Sequence, residues 1–150
     1  MQKVIQIKTD KLFTNITSNV EKFLKKIGNK NGIINIFSKH TTGCIWLTED
    51  EILHHADVRF FLDGMAPKWK DAEGTQKNLK YLHDLISLRV DVEAGERING
   101  HSHIRSLFFN SSETIPVDSG KLILGEWKKI FGIELDPERS REVICTFIKE

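Results

Sequence analysis

The chain has little cysteine, little proline and no surplus of charge of either sign. Its 150 residues include two cysteines and three prolines, and 22 basic residues stand against 21 acidic ones for a formal net charge of +1. Cys44 and Cys145 do not make the disulfide framework that staples small secreted domains. A reduced intracellular setting is therefore expected, with both thiols acting as small buried apolar side chains. The even charge argues against a dedicated nucleic-acid binder, which carries a strongly basic face, and leaves room only for a local basic pocket that takes a phosphate or carboxylate. No apolar run approaches membrane-spanning length, and the opening Met1-Gln2-Lys3-Val4-Ile5-Gln6-Ile7-Lys8 is too polar for a signal peptide. The expectation is a soluble cytoplasmic protein without a membrane or nucleic-acid partner. Also missing are a Walker loop, a dinucleotide glycine fingerprint, an HExxH zinc helix and a serine nucleophile elbow. There is no internal repeat, linker or low-complexity segment.

What is present is a globular composition, 39% hydrophobic and 29% charged, in a length that one domain over residues 1–150 can bury around a core. Residues 3–8 alternate as a strand. Val20, Phe23, Leu24 and Ile27 recur at helical spacing, which predicts a helix over residues 18–27, opened by a Ser18/Glu21 capping box and closed by Gly28. The Asn31-Gly32 turn leads into a β-rich run ending at Ser38, and Cys44-Ile45-Trp46-Leu47 reads as the next strand. Thr48 and Glu51 suggest a second capping box and a helix reaching about Met65, with Leu53, Ala56, Phe60 and Met65 toward the core. Residues 66–80 and 89–100 read as loops. Strands follow around Ile115-Pro116-Val117, Leu122-Ile123-Leu124, residues 127–133 and residues 143–148. The order β-α-β-β-α and then strands predicts a single compact α+β domain on a β-rich mixed or antiparallel sheet, not a doubly wound one.

The histidines carry the chemistry. His40 stands in Lys39-His40-Thr41-Thr42-Gly43, His83 in Tyr81-Leu82-His83-Asp84, and His101 and His103 in Asn99-Gly100-His101-Ser102-His103-Ile104-Arg105-Ser106. Neutral imidazole is the commonest protein metal ligand and titrates near neutral pH, so three of these converging would make a metal or acid–base site. In a strand His101 and His103 share a face; in a helix they diverge. The alternative for each is a histidine that makes its own structural hydrogen bond. Adjacent His54 and His55 point about 100° apart on a helix and do not suit one ion. Arg139 and Arg141, in Glu134-Leu135-Asp136-Pro137-Glu138-Arg139-Ser140-Arg141, suit phosphate; the acids beside them suit neutralising them equally well.

The segments FSKHTTGCIWLTED, YLHD, HSHIRSLFF, TIPVDSGKLILGEWKKIF and ELDPERSREV stand in the order and spacing of the YjbQ-like family, often called secondary thiamine-phosphate synthase, which the whole chain resembles. The resemblance implies a compact α+β domain that assembles as a homotrimer. It also implies an enzyme joining a pyrimidine methyl diphosphate to a thiazole phosphate with release of diphosphate. By the same likeness His40, His83 and His103 are the candidate ligands of a divalent metal, zinc or magnesium. Thr41, Thr42, Arg105, Arg139 and Arg141 are the candidate contacts to a phosphate-bearing ligand, and Glu49 and His103 the candidate catalytic residues. Two departures stand out: Gly125-Glu126-Trp127-Lys128 replaces the family's Gly-Thr-Trp-Gln, and Asp50 replaces an asparagine. Other readings of the same residues are a non-catalytic trimeric protein that binds a metal or small anion, and a metal-assisted hydrolase.

Overall fold

In the computed structural model, which describes residues 1–9, 11–68, 81–137 and 139–150, eight strands form two antiparallel sheets. Strand β1 (Gln2–Thr9), β3 (Gly32–Ser38), β5 (Ser112–Asp118), β6 (Lys121–Leu122) and β8 (Arg139–Lys149) make a five-stranded sheet in the order β1-β8-β3-β5-β6. Strands β2 (Phe13–Asn15), β4 (Gly43–Glu49) and β7 (Lys128–Glu134) make a three-stranded sheet in the order β2-β7-β4. Every ladder is antiparallel. The helices are α1 (Thr17–Ile27), α2 (Ile52–Met65), a 3-10 helix at Leu82–Leu88, and α3 (Gly100–Ser106). The fold is thus α+β, with purely antiparallel sheets.

The main core lies between the sheets and α1. Ile5, Ile7, Val20, Phe23, Leu24, Ile34, Ile36, Ile45, Ile115, Ile130, Val143 and Phe147 are buried together there. Alternation along β3 and β8 puts Ile34 and Ile36, and Val143, Cys145 and Phe147, on the inward face. A smaller cluster of Phe13, Cys44, Leu62, Phe131, Ile133 and Leu135 packs under α2. Both cysteines are buried and free, and burial pushes each thiol up to about 11.

Three local expectations are corrected. Neither serine nor threonine caps α1: Ile16 holds the cap position without a side-chain bond, while the Thr17 hydroxyl accepts from the Ile130 N–H at 2.9 Å. At α2 the cap is Glu51 itself, whose carboxylate accepts from the Leu53 and His54 N–H groups at 2.7 and 2.6 Å; Thr48 instead bonds the His54 ring. Leu53, Phe60 and Met65 of α2 do not face the core. They are 70%, 76% and 59% exposed, and Leu62 alone on that helix is buried. Apolar residues occur all round α2, so the period does not choose a face. Of the loop expected over residues 66–80, positions 69–80 lie outside the described residues.

Candidate functional site

The site grows from the end of β7. There the chain leaves the three-stranded sheet through Glu134, Leu135 and Asp136 and crosses to β8. Glu134 and Asp136 are 0% and 2% exposed, and a buried carboxylate needs hydrogen bonds and a counter-charge. Glu134 has both. It accepts from the Asp136 N–H at 2.7 Å and the Thr42 hydroxyl at 3.2 Å, and forms an ion pair with the Arg141 Nε. Arg141 extends the network, donating from Nη2 to the Thr42 hydroxyl at 2.8 Å. Asp136 faces the other way, accepting from the Asn99 amide at 2.9 Å and pairing with Arg97 at 3.1 Å and Arg139 at 3.4 Å. Two arginines thus meet on one buried carboxylate.

Over this base lies a polar cavity of about 360 Å3, lined by Lys39, His40, Thr41, Thr42, His83, Glu96, Asn99, His103, Arg139 and Arg141. Glycine sets its wall. A Cβ on Gly100 would sit 2.6 Å from the Tyr81 Cβ and 2.7 Å from the Asp84 Oδ1, so only glycine lets α3 press against the 3-10 helix. Asp84 accepts the Gly100 N–H at 2.9 Å. That approach brings the His83 and His103 rings edge to face, centroids 4.5 Å apart. α3 also separates the paired histidines: residues two apart on a helix point about 200° apart, so His103 lines this cavity and His101 faces away from it.

The network assigns protons. Asn99 gives its NH2 to Asp136, so its Oδ1 faces His83, and His83 Nε2 donates to it at 3.1 Å. His40 Nε2 faces the Glu142 N–H at 3.2 Å and its Nδ1 the Arg141 guanidinium at 3.4 Å, so donors stand at both ring nitrogens. A second proton on His40 would meet only donors. Burial, then Arg141 and Lys39, holds its basicity below the ordinary histidine value. Burial, then His83, does the same for His103. Neutral imidazoles beside arginines suit proton transfer and anion binding near neutral pH.

The profile of the YjbQ-like UPF0047 proteins matches residues 3–150. The chain belongs to this family. A UPF0047 protein of Methanothermobacter thermautotrophicus is 34% identical over 128 residues, which cover 85% of this chain and 76% of the relative. One from Methanocaldococcus jannaschii is 32% identical over 147 residues, covering 95% and 91%. Among solved structures, a YbjQ-like protein of unknown function from Sulfolobus solfataricus P2 superposes with a TM-score of 0.79 at 27% identity, over 100% of this chain and 97% of that one. A hypothetical protein of Aeropyrum pernix K1 gives 0.81 at 24% identity over 100% and 99%, and so shares the fold.

Within this UPF0047 chain the structure brings His40, His83, His103, Thr41, Thr42, Arg139 and Arg141 to one cavity. It leaves out Glu49 and Arg105. Glu49 is exposed at the far end of β4, opposite Lys128 of β7, whereas Gly43 pairs with Glu134 at the pocket end. Six residues at about 3.4 Å each put Glu49 about 20 Å from the pocket. Arg105 shares the face of His101, not His103, and donates to the Ala66 carbonyl at 2.8 Å and to Asp63 at 2.6 Å. Glu126, Trp127 and Lys128 are exposed and do not line the cavity. Asn99, Asp136 and Glu134 organise the site, and asparagine had no visible signal.

The metal reading meets an obstacle in the side chains themselves. Among the described residues no three His, Cys, Asp or Glu groups stand together as a ligand set. His40 spends its Nε2 lone pair on a backbone N–H, and Arg141 presses a cation against its other nitrogen. The three imidazoles share a cavity but do not fit one ion.

Proposed function

We propose that the His40/His83/His103 cavity binds a phosphate-bearing small molecule and catalyses a transfer like that of thiamine-phosphate synthase. The observation that carries the reading is the meeting of three imidazoles, two arginines and the Thr41 hydroxyl in one polar cavity, joined there from four separate stretches of chain. In such a transfer the thiazole nitrogen supplies an electron pair to the pyrimidine methylene. The carbon–oxygen bond breaks, and diphosphate leaves with its electrons. The demand on the protein is stabilisation of the departing negative charge. Arg139 lines the cavity as a cation suited to that task, with the His103 ring beside it. Arg141 serves as a positioning residue, since Glu134 and Thr42 hold its guanidinium.

The test is incubation of the full chain with the pyrimidine methyl diphosphate and thiazole phosphate, with and without chelator, following diphosphate release and the condensed product. The reading expects both products, unchanged by chelator, and their loss in His103→Ala. Binding of the substrates without turnover would replace the enzyme by the anion-binding reading. Turnover abolished by chelator would restore a metal.

The assembly proposed is a homotrimer. Leu53, Phe60, Phe61 and Met65 are exposed apolar side chains on one helix, the kind of surface that an interface covers, and closed symmetry would cover it in every subunit. Light scattering should give three times the 17.3 kDa chain mass; a monomer mass across a concentration series would refute it. Tight, salt-dependent binding to generic DNA or RNA is not expected from a net charge of +1.

A further inference from the structure

On the far side of Glu134 lies a second cavity, about 270 Å3, lined by Lys11, Arg59, Lys68, His101 and Arg105 among others. It continues past Lys11 and Arg59, which line both hollows, into a larger space bordered by Phe13, Ile52 and Ala56. We propose that this groove is a second, separate binding site for a phosphate monoester that carries an apolar or aromatic group. The phosphate end lies among the cations and the apolar body against Phe13 and Ile52.

Two independent observations support it. The first is charge. The acids at the phosphate end are already engaged, Glu134 with Arg141 and Asp63 with Arg105. Lys11, Arg59 and Lys68 form no ion pair among the described residues; Arg59 lies over the Phe13 ring at 5.4 Å. Among the described residues, three cations thus converge with no carboxylate paired to them. The second is His101, which is 4% exposed. The Ser102 hydroxyl donates its one proton to the Leu135 carbonyl at 2.6 Å. Its 3.1 Å contact with His101 Nε2 is therefore donated by the ring. That leaves the lone pair on Nδ1, and no described protein group donates to it. A buried nitrogen without a partner calls for one, and the P–OH of a singly protonated phosphate is a donor of the right kind. His101 and His103 then serve different pockets from opposite faces of α3, which explains why they sit two residues apart. Arg105 belongs to this second site rather than the first.

The test uses the full chain, 15N-labelled, with phenyl phosphate as probe and the imidazole nitrogens of His101 and His103 as reporters. Phenyl phosphate should shift the His101 Nδ1 resonance. Arg59→Gln with Lys68→Gln, both at exposed positions, should weaken the affinity read at His101 at least tenfold and leave the response of His103 unchanged. Inorganic phosphate should bind at His101 at least threefold more weakly than phenyl phosphate. A His101 resonance that does not move would overturn the proposal. So would an affinity indifferent to the double substitution, or a His101 response that disappears in His103→Asn. Because the first pocket is read at His103, its failure and the failure of this site are distinguishable.

Discussion

Replacing Glu134 by glutamine should be the most damaging single change of one heavy atom in this chain. The two carboxylate oxygens are used differently: Oε1 accepts from the Asp136 N–H and the Thr42 hydroxyl, and Oε2 from Arg141. A carboxamide has one acceptor oxygen. Turned one way, its NH2 faces the guanidinium; turned the other, it faces two protein donors. Either way the buried Arg141, 8% exposed, loses its counter-charge. Removing one partner of a buried pair costs about 3–5 kcal/mol, out of the about 5–15 kcal/mol that holds an ordinary domain together. For a chain of this length each kcal/mol moves Tm by about 2–4 °C, so a fall of about 10 °C is expected by circular dichroism. Adding Arg141→Met should recover part of it, since an apolar pair leaves no orphaned charge. Arg139→Gln, at a half-exposed pair, should cost under about 1 kcal/mol. A Glu134→Gln protein that melts within about 2 °C of wild type would refute the reasoning.

Gly100→Ala should push α3 off the 3-10 helix, because the new methyl meets Tyr81 and Asp84 at under 3 Å; ring-proton NMR should show the His83 and His103 imidazoles moved apart. Stability should fall with acid below the ordinary histidine value of 6.5, because His40, His101 and His103 are all held less basic than that and the unfolded chain takes up their protons first. For His101, whose value burial, Arg105 and Lys68 bring down to about 4, the loss continues to that pH and amounts to about 3 kcal/mol. His101→Asn should flatten the dependence of Tm on pH between 6.5 and 4, and an unaltered slope would count against the assignment. Cys44 and Cys145, buried with thiols pushed up to about 11, should resist iodoacetamide in the native protein and react once it is unfolded, as intact-mass measurements would show.

The sequence was legible where one local rule governed. Alternation in β1, the Val20/Phe23/Leu24/Ile27 period of α1 and the Gly28 cap all describe short-range geometry, and the structure has them at nearly the expected bounds. The histidine motifs and the arginines that open β8 were legible as chemistry, and the likeness to a family placed them together. Distances were not. Glu49 follows His40 closely in sequence, but β4 is extended and carries it to the opposite end of the sheet. Arg105 follows His103 by two residues, but α3 turns it to the opposite face. The core face of α2 was hidden because Ile52, Leu53, Phe60, Phe61, Leu62 and Met65 surround the helix, and only Leu62 finds a place inside. For Arg139 and Arg141 the choice between neutralised charge and ligand pocket was a false one, since Glu134 and Asp136 bind them and thereby hold them at the cavity.

The central claim is that the cavity between His40, His83, His103 and Arg139 is where this UPF0047 chain handles a phosphate-bearing ligand. A crystal structure grown with inorganic diphosphate tests it most directly. Diphosphate should occupy that cavity, with Arg139, the Thr41 hydroxyl and the His83–His103 pair in contact with it and the Glu134–Arg141 pair undisturbed beneath. Diphosphate bound elsewhere, with this cavity empty at saturating concentration, would contradict it.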